Sequence, residues 1–401
     1  MKKKRILIIS QYFKPENFRI NDIATELVKK GYKVIVLTGI PNYPLGKFYE
    51  GYDYRHRRYE KWNGIYIIRI PLIARGSNSV RLVINYLSFM LSGFIWKCLV
   101  DVHADLVFTY EVSPMTQGMV GVWYAKKHHI PHYIYVTDLW PENVKYTTGI
   151  HNKMIIGILQ IIVDYIYHNS DKILTSSRSF IEPIRRRKVD KLKIEYWPQY
   201  AEDIYKPMKF TKHPEDTQLY LVFAGNVGYA QGLNILVEAA RILRTKNLNV
   251  RFHIIGDGRY LFKLKEIIKA ENLEKYFQFT PHQPQEEVVK FLSQADALLI
   301  TLAKNEVFAI TIPAKTQSCM ACGKPILVSA DGEVQRIIRE AKAGLVSDAE
   351  DVNGFVKNIE KMIIISDADL KQYGKNALMY PYKNFNKYQL LDRSEEIFQG
   401  K

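Results

Sequence analysis

The strongest constraint on the fold is an alternation that runs, stops and starts again. Lys4–Ser10, Lys33–Thr38, Ile65–Ile70, Leu106–Thr109, His132–Val136 and Lys172–Thr175 are short, apolar and rich in β-branched residues, and read as strands. Between them Ile20–Lys30, closed by Gly31, and residues 80–100, 114–129 and 152–168 read as helices. Strands that are apolar throughout, not on alternate residues only, predict a parallel sheet covered on both faces. The polar stretch 201–217, AEDIYKPMKFTKHPEDT, reads as a linker. The alternation then resumes, with strands at Leu219–Ala224, Val250–Ile255, Phe277–Phe279 and Ala297–Thr301 and helices at 232–245, 259–271 and 284–294. The 401 residues are therefore expected to form two α/β halves, 1–200 and 218–375, and a helical tail, 376–401, returning to the first half.

Open α/β sheets bind ligands at the carboxyl ends of their strands, and two facing halves would share one cleft. The first strand-to-helix connection, Gln11–Asn21 (QYFKPENFRIN), has no glycine. It is neither a dinucleotide fingerprint nor a P-loop, which argues against NAD chemistry and ATP hydrolysis. In the second half, Gly225-Asn226-Val227-Gly228 and Gly256-Asp257-Gly258 each follow a strand, where glycine lets a backbone approach a ligand closely. Residues 305–329, NEVFAITIPAKTQSCMACGKPILVS, add a loop, a short helix and a strand. A loop opening a helix offers unpaired N–H groups and the positive end of a dipole, a ready phosphate site. Pro313 suits the first turn and Lys315 supplies a counter-charge. An ordinary loop and helix of an α/β domain is the plainer alternative for this segment.

The net charge of +16 implies an anionic partner: nucleic acid, a membrane face or a phosphorylated substrate. No nucleic-acid module is present, and the basic clusters Arg55–Arg58 and Arg185–Lys188 are short and far apart. Three cysteines, Cys98, Cys319 and Cys322, do not make a disulfide framework. Cys319-x-x-Cys322 lacks two further zinc ligands at similar spacing and reads as packing. Residues 82–100 and 154–167 are strongly apolar and read either as core helices or as helices docking at a lipid interface.

QYFKPENFRIND, LTGIPNYPLGKFYEGY, TDLWPENV, FAGNVGYAQGLNILVEAA, IIGDGR and PAKTQSCMACGKPILVSADGE together resemble, in order, glycosyltransferase family 4. The branch is similar to the bacterial transferases of capsule and O-antigen synthesis, including N-acetyl-L-fucosamine transferases. The resemblance implies a GT-B fold, two Rossmann-like domains facing across a cleft, with the acceptor in the first and the nucleotide sugar in the second. It implies that Gly225, Asn226 and Gly228 lie under the donor phosphates, and that Gly256, Asp257, Gly258 and Phe279–His282 frame the base. Phe308, Ile310, Thr311 and Pro313 would offer backbone amides to the sugar and diphosphate, with Lys315 on the diphosphate. Asp138, on the first-half side near the reacting sugar, and Glu306 join Lys315 as catalytic candidates; Asp138 could alternatively cap the following turn. Trp140 reads as packing.

The chain departs from the family's pair of glutamates eight apart. The ribose-holding member corresponds to Ser318, and the other to Ile310 or, with an insertion, to Glu306. Asn226 and Gln231 stand in the region of the usual basic pair, leaving Lys315, with Lys324 second, as the available charge. Asp367-Ala368-Asp369 is the only Asp-x-Asp and reads as a helix cap, so no metal and no cofactor is expected. The expected activity is a metal-independent, retaining transfer from a UDP-sugar to a lipid-linked saccharide on undecaprenyl diphosphate. It would occur at the cytoplasmic membrane face, with Arg55–Arg58 and residues 82–100 toward lipid and other polysaccharide-assembly enzymes nearby. A nucleotide-sugar epimerase of the same architecture, a weakly catalytic scaffold and a nucleic-acid binder are the competing readings.

Overall fold

The computed structural model describes residues 4–76, 78–144, 146, 149, 152–210 and 217–399. The chain divides into two compact units, Met1–Pro198 with Tyr388–Lys401, and Gln199–Lys387. The first unit carries strands β1 (Arg5–Ile9), β2 (Lys33–Gly39), β3 (Tyr59–Trp62), β4 (Ile65–Ile70), β5 (Leu106–Glu111), β6 (His132–Val136), β7 (Lys172–Thr175) and β8 (Ile194–Tyr196). Their order is β3-β4-β2-β1-β5-β6-β7-β8, parallel except for the β3–β4 pair. That hairpin was not anticipated, although Asn63-Gly64 is its signal. Both residues take positive φ (48° and 81°), as a two-residue turn between Trp62 and Ile65 requires.

The second unit holds β9 (Leu219–Ala224), β10 (Val250–Ile255), β11 (Phe277–Thr280), β12 (Ala297–Thr301), β13 (Ile326–Ser329) and β14 (Gly344–Ser347). They are all parallel, in the order β11-β10-β9-β12-β13-β14. Leu219, Leu221 and Phe223 of β9 pack into one buried cluster and Val222 into another, so both faces of the sheet are covered. That is why these strands read as continuous apolar runs. Cys319 and Cys322 lie in the second cluster, where burial pushes the Cys319 thiol up to about 12.

The boundaries expected around 201–217 and 376–401 need correction. Tyr205 packs on the second unit's core and Asp203 pairs with Lys387 at 2.7 Å, so the described part of the supposed linker belongs to that unit. Residues 211–216 lie outside the described residues. The helix Asp367–Asn384 stays with the second unit, and Ser366 Oγ accepts from Asp369 N at 3.2 Å, so the Asp-x-Asp run opens a helix. Only the helix Lys387–Gln399 carries the chain into the first unit. There Trp197 Nε1 donates to the Leu390 carbonyl at 2.8 Å, and Phe398 stacks on Tyr133 with centroids 5.9 Å apart.

Helices Ser79–Leu99, Gln117–His128 and Lys153–His168 pack side by side on one face of the first sheet. The first of these is two-sided. Leu82, Tyr86, Phe89, Gly93 and Trp96 are buried, with Gly93 against Val120 of the middle helix. The other side is apolar yet exposed: Val80 69%, Leu91 60% and Leu99 79%. Met154 (72%) and Ile161 (70%) on Lys153–His168 are likewise exposed. By length and composition Ser79–Leu99 could cross a membrane, but one side of it is committed to the core.

Candidate active site

In the second sheet the strand order reverses between β9 and β12, so the loops leaving those strands flank the crevice where α/β proteins bind ligands. Both glycine clusters meet there. Gly225 N donates to the Ile255 carbonyl and Gly256 N to the Thr280 carbonyl, each at 2.9 Å. Val227 N donates to the Asp257 carbonyl at 2.8 Å. A Cβ on Gly256 would stand 2.0 Å from the Gly225 carbonyl oxygen, and one on Gly258 2.2 Å from that of Val227. Glycine is therefore required for the loops to touch. Asp257 Oδ2 accepts from His282 N at 3.0 Å, which ties the Phe279–His282 stretch to the same edge. The Asn226 side chain is exposed and stands beside Gly228 and Gly258.

Residues 305–324 adjoin these loops. Asn305 Oδ1 accepts from Val307 N at 2.8 Å and caps a one-turn helix, Glu306–Ala309. Glu306 is exposed in that turn, and Phe308 is half-buried. Thr311 Oγ1 donates to the Val307 carbonyl at 2.7 Å, leaving Ile310, Thr311 and Pro313 partly exposed on the loop that follows. A Cβ on Gly332, at φ +69°, would come within 2.1 Å of the Ala309 carbonyl, so the one-turn helix is pinned under the loop after β13. The next helix is Lys315–Ala321, only seven residues long, with Ala314 at its N-cap. Pro313 thus precedes the helix rather than sitting in its first turn, and Lys315 opens it.

Lys315 holds the centre of the donor residues. Its ammonium donates to Gln231 Oε1 and lies 3.9 Å from the centroid of the Phe223 ring. A Cβ on Gly225 would be 3.8 Å from Nζ. Burial pushes its pKa down to about 7. Gln231 is itself fixed, because its carbonyl accepts from Thr301 Oγ1 at 2.6 Å. Gln231, seen in the sequence as a missing cation, is therefore the partner of the cation that is present. Ser318 is buried one turn further on, its hydroxyl donating to the Ala314 carbonyl at 3.4 Å. Lys324 does not join this group. The helix carries the chain back to the amino end of β13, so Lys324 stands at the opposite edge of the sheet, beside Asp296.

In the first sheet the order reverses between β1 and β5. Asp138, one residue past Thr137 at the end of β6, turns back onto the loop after β5. Its Oδ2 accepts from Ser113 N at 3.0 Å and Ser113 Oγ at 2.7 Å, so it does not cap the turn that follows. Trp140 is buried and donates from Nε1 to Ser113 Oγ at 2.9 Å. Beneath them Glu111, which the sequence reading missed because it ends an apolar strand, is fully buried. Its Oε2 accepts from Asp138 N at 3.3 Å. Burial, and then the neighbouring Asp138, push its carboxyl well above the usual range. Glu142 takes no part: it pairs with Arg187 at 2.8 Å.

A glycine-lined edge at the switch point, with one partly buried lysine, is suited to hold a diphosphate. Residues 206–378, which include all the donor candidates, match the family model of Glycosyl transferases group 1. The two parallel-sheet units have the GT-B architecture, and the second of them contains the region that matches the glycosyl transferase model. The chain is 23% identical over 354 residues to WcaI of Escherichia coli K12, named as a colanic acid biosynthesis glycosyl transferase, covering 82% of this chain and 83% of that one. Its fold matches sucrose-phosphate synthase from Thermosynechococcus elongatus with a TM-score of 0.76 at 16% identity, over 99% of both chains. It also matches Anabaena Alr3699/HepE, solved in complex with UDP and glucose, with a TM-score of 0.71 at 13% identity, over 99% of this chain and 100% of that one.

Proposed function

We propose that this protein transfers a sugar from a UDP-sugar to a lipid-linked saccharide, with retention of configuration and without a metal ion, in the synthesis of a bacterial surface polysaccharide. The observation that carries the donor half is Lys315 held on Phe223 and Gln231 beside Gly225 and Gly256. Cleaving the sugar–phosphate bond builds negative charge on the departing diphosphate. A fixed lysine and backbone N–H groups in a partly desolvated site stabilise that charge where it forms. The acceptor hydroxyl attacks from the face the diphosphate leaves, and the diphosphate takes the proton. Asp138 is proposed to orient the acceptor from the first unit, with the buried Glu111 beneath it accepting from its backbone N–H. The donor sugar is proposed to be an N-acetylated deoxyamino sugar such as N-acetyl-L-fucosamine. A polysaccharide pathway is supported by the relative named for colanic acid biosynthesis.

The test is a thermal-shift panel of UDP, GDP, dTDP, ADP and CMP with their sugars, each in magnesium and in EDTA. UDP compounds are expected to stabilise the protein in both. A ligand at about 100 times its Kd adds roughly 2.7 kcal/mol. Stabilisation that disappears in EDTA would overturn the metal-free reading, and a different nucleotide would overturn UDP.

The lipid acceptor and a peripheral site on the cytoplasmic membrane face are supported by the exposed apolar sides of Ser79–Leu99 and Lys153–His168 and by the positive net charge. Arg55 and Arg57 stand on an exposed turn, whereas Arg58 is bonded to the Arg69 carbonyl. Reversing Arg55 and Arg57 to glutamate is expected to weaken binding to anionic liposomes at low salt, and Leu91→Glu to weaken it at all salt concentrations. Unchanged sedimentation with vesicles in both variants would remove the membrane contact from this reading.

A further inference from the structure

Two motifs that the donor chemistry leaves unused, QYFKPENF after β1 and GIPNYPLG after β2, are built into one another. Glu16 Oε1 accepts from Asn42 N at 2.8 Å and Tyr43 N at 2.7 Å, and its Oε2 from Phe13 N at 3.3 Å. Tyr12, Phe18 and Tyr43 form a ring triangle, with centroids 5.0, 5.6 and 5.2 Å apart. Asn42 Oδ1 accepts from Arg75 N at 3.0 Å and so fixes the loop that carries Arg75. Asn85, held by Gln11 Nε2 at 2.7 Å, donates to the Ile73 carbonyl at 2.6 Å and fixes it from the other side.

This framework places the Arg75 guanidinium 4.8 Å from the centroid of the Tyr43 ring. Among the described residues its side chain has no hydrogen-bond or ion-pair partner. A guanidinium carries five donors, and Arg75 is only partly buried, so its donors are open to solvent or to a ligand. The buried Tyr12 hydroxyl makes no hydrogen bond of good geometry and has the Tyr86 hydroxyl as its neighbour. Burial alone would lower the Arg75 pKa, but Tyr12, Tyr86, Tyr43 and Glu16 together raise it, so it stays a cation. Burial pushes the Glu16 carboxyl up to about 8 against the pull of its three N–H donors. Tyr86, the residue after Asn85, packs edge-on against Trp140 with centroids 6.2 Å apart, and Trp140 and Asp138 both bond Ser113 Oγ, so the Arg75 cage and the proposed acceptor-orienting carboxylate share one region of the first unit.

We propose that Arg75, with the Tyr12 and Tyr86 hydroxyls, binds an anionic oxygen-bearing group of the acceptor and so sets which acceptor hydroxyl lies near Asp138. The proposal rests on the reading that the first unit takes the acceptor. The anion has two possible sources, the diphosphate of a prenyl carrier or the carboxylate of an acidic sugar.

The experiment uses the full chain saturated with UDP, so that Lys315 is occupied. It is titrated with farnesyl diphosphate, octyl glucuronide and octyl glucoside, and compared with Arg75→Gln, Arg75→Lys and Tyr12→Phe. One anionic amphiphile is expected to bind at least about 10-fold more tightly than octyl glucoside. Arg75→Gln should lose about 10- to 100-fold of that, the range of a charge-assisted hydrogen bond, with UDP affinity unchanged. Arg75→Lys should recover part of the loss. Farnesyl diphosphate as the preferred ligand assigns a diphosphate, and octyl glucuronide a sugar carboxylate. Equal binding of all three amphiphiles, or full anionic binding by Arg75→Gln, overturns the proposal. If Arg75→Gln fails to bind UDP and is misfolded, Tyr12→Phe decides, and an unchanged preference for the anion overturns the assignment. Sugar transfer to neutral acceptors only would reject the Arg75 site and leave the transferase reading intact. Arg75-dependent anion binding with no transfer to any saccharide would do the reverse.

Discussion

Lys315→Met is expected to lower kcat for sugar transfer by about 10²- to 10³-fold, the usual cost of removing one preorganised charge from a site where charge develops. Methionine keeps the apolar stem on Phe223 and deletes only the ammonium, so the fold should survive. The pH behaviour separates this role from mere packing. Burial lowers the folded-state pKa to about 7 from the ordinary lysine value of 10.5. Between those values the unfolded chain holds more protons than the folded one, so the wild-type protein gains stability as pH rises through that window. The cost of charging Lys315 in the fold is fully present below its lower end. In Lys315→Met this contribution disappears. A bound diphosphate favours the ammonium, so UDP binding above the folded pKa must take up a proton. Wild-type affinity should then fall as pH rises from neutral toward 9, and that of Lys315→Met should stay flat. Calorimetry of UDP binding at pH 8 in two buffers of different ionisation heat measures the uptake. No proton uptake, with a pH-independent Kd, would mean that Lys315 does not meet the diphosphate.

Gly256→Ala is expected to abolish UDP binding and to destabilise the second unit by more than about 2 kcal/mol. Gly256 has φ +135°, and the added methyl would lie 2.0 Å from the Gly225 carbonyl oxygen, a backbone atom with no rotamer to escape into. Gly332→Ala should act similarly through the Ala309 carbonyl at 2.1 Å, displacing the turn that carries Glu306 and Phe308. Gly157→Ala is the control. It lies inside the helix Lys153–His168 with nothing within 4 Å of an added Cβ, and should stabilise by about 0.5–1 kcal/mol. Thermal melting and UDP titration of the three variants decide the matter. A Gly256→Ala protein that melts and binds like the wild type would show that the two loops need not touch.

Much of the fold was legible because a strand buried on both faces must be apolar at every position, which is how β1, β5, β9 and β12 read. The β3–β4 hairpin was overlooked although Asn63-Gly64 announced it, because β3 is an edge strand with polar, partly exposed residues and no apolar run. At the site, the glycine clusters were legible as local backbone demands. Pairings were not. Gln231 meets Lys315 across 84 positions of sequence only because the sheet reverses its order between β9 and β12. Glu111 was invisible because a carboxyl at the end of an apolar strand looks like the strand's solvated end. Lys324 was placed at the wrong edge because spacing along a chain ignores the reversal of direction that a helix imposes.

The route of the chain through its two units orders its own assembly. Residues 388–399 belong to the first unit but are separated from the rest of it by all of Gln199–Lys387. A ribosome therefore completes the second unit before it delivers the last piece of the first. Until then the aromatic seat of Phe398, formed by Tyr32, Phe108 and Tyr133, stands open. The half of the molecule synthesised first is the half that finishes last.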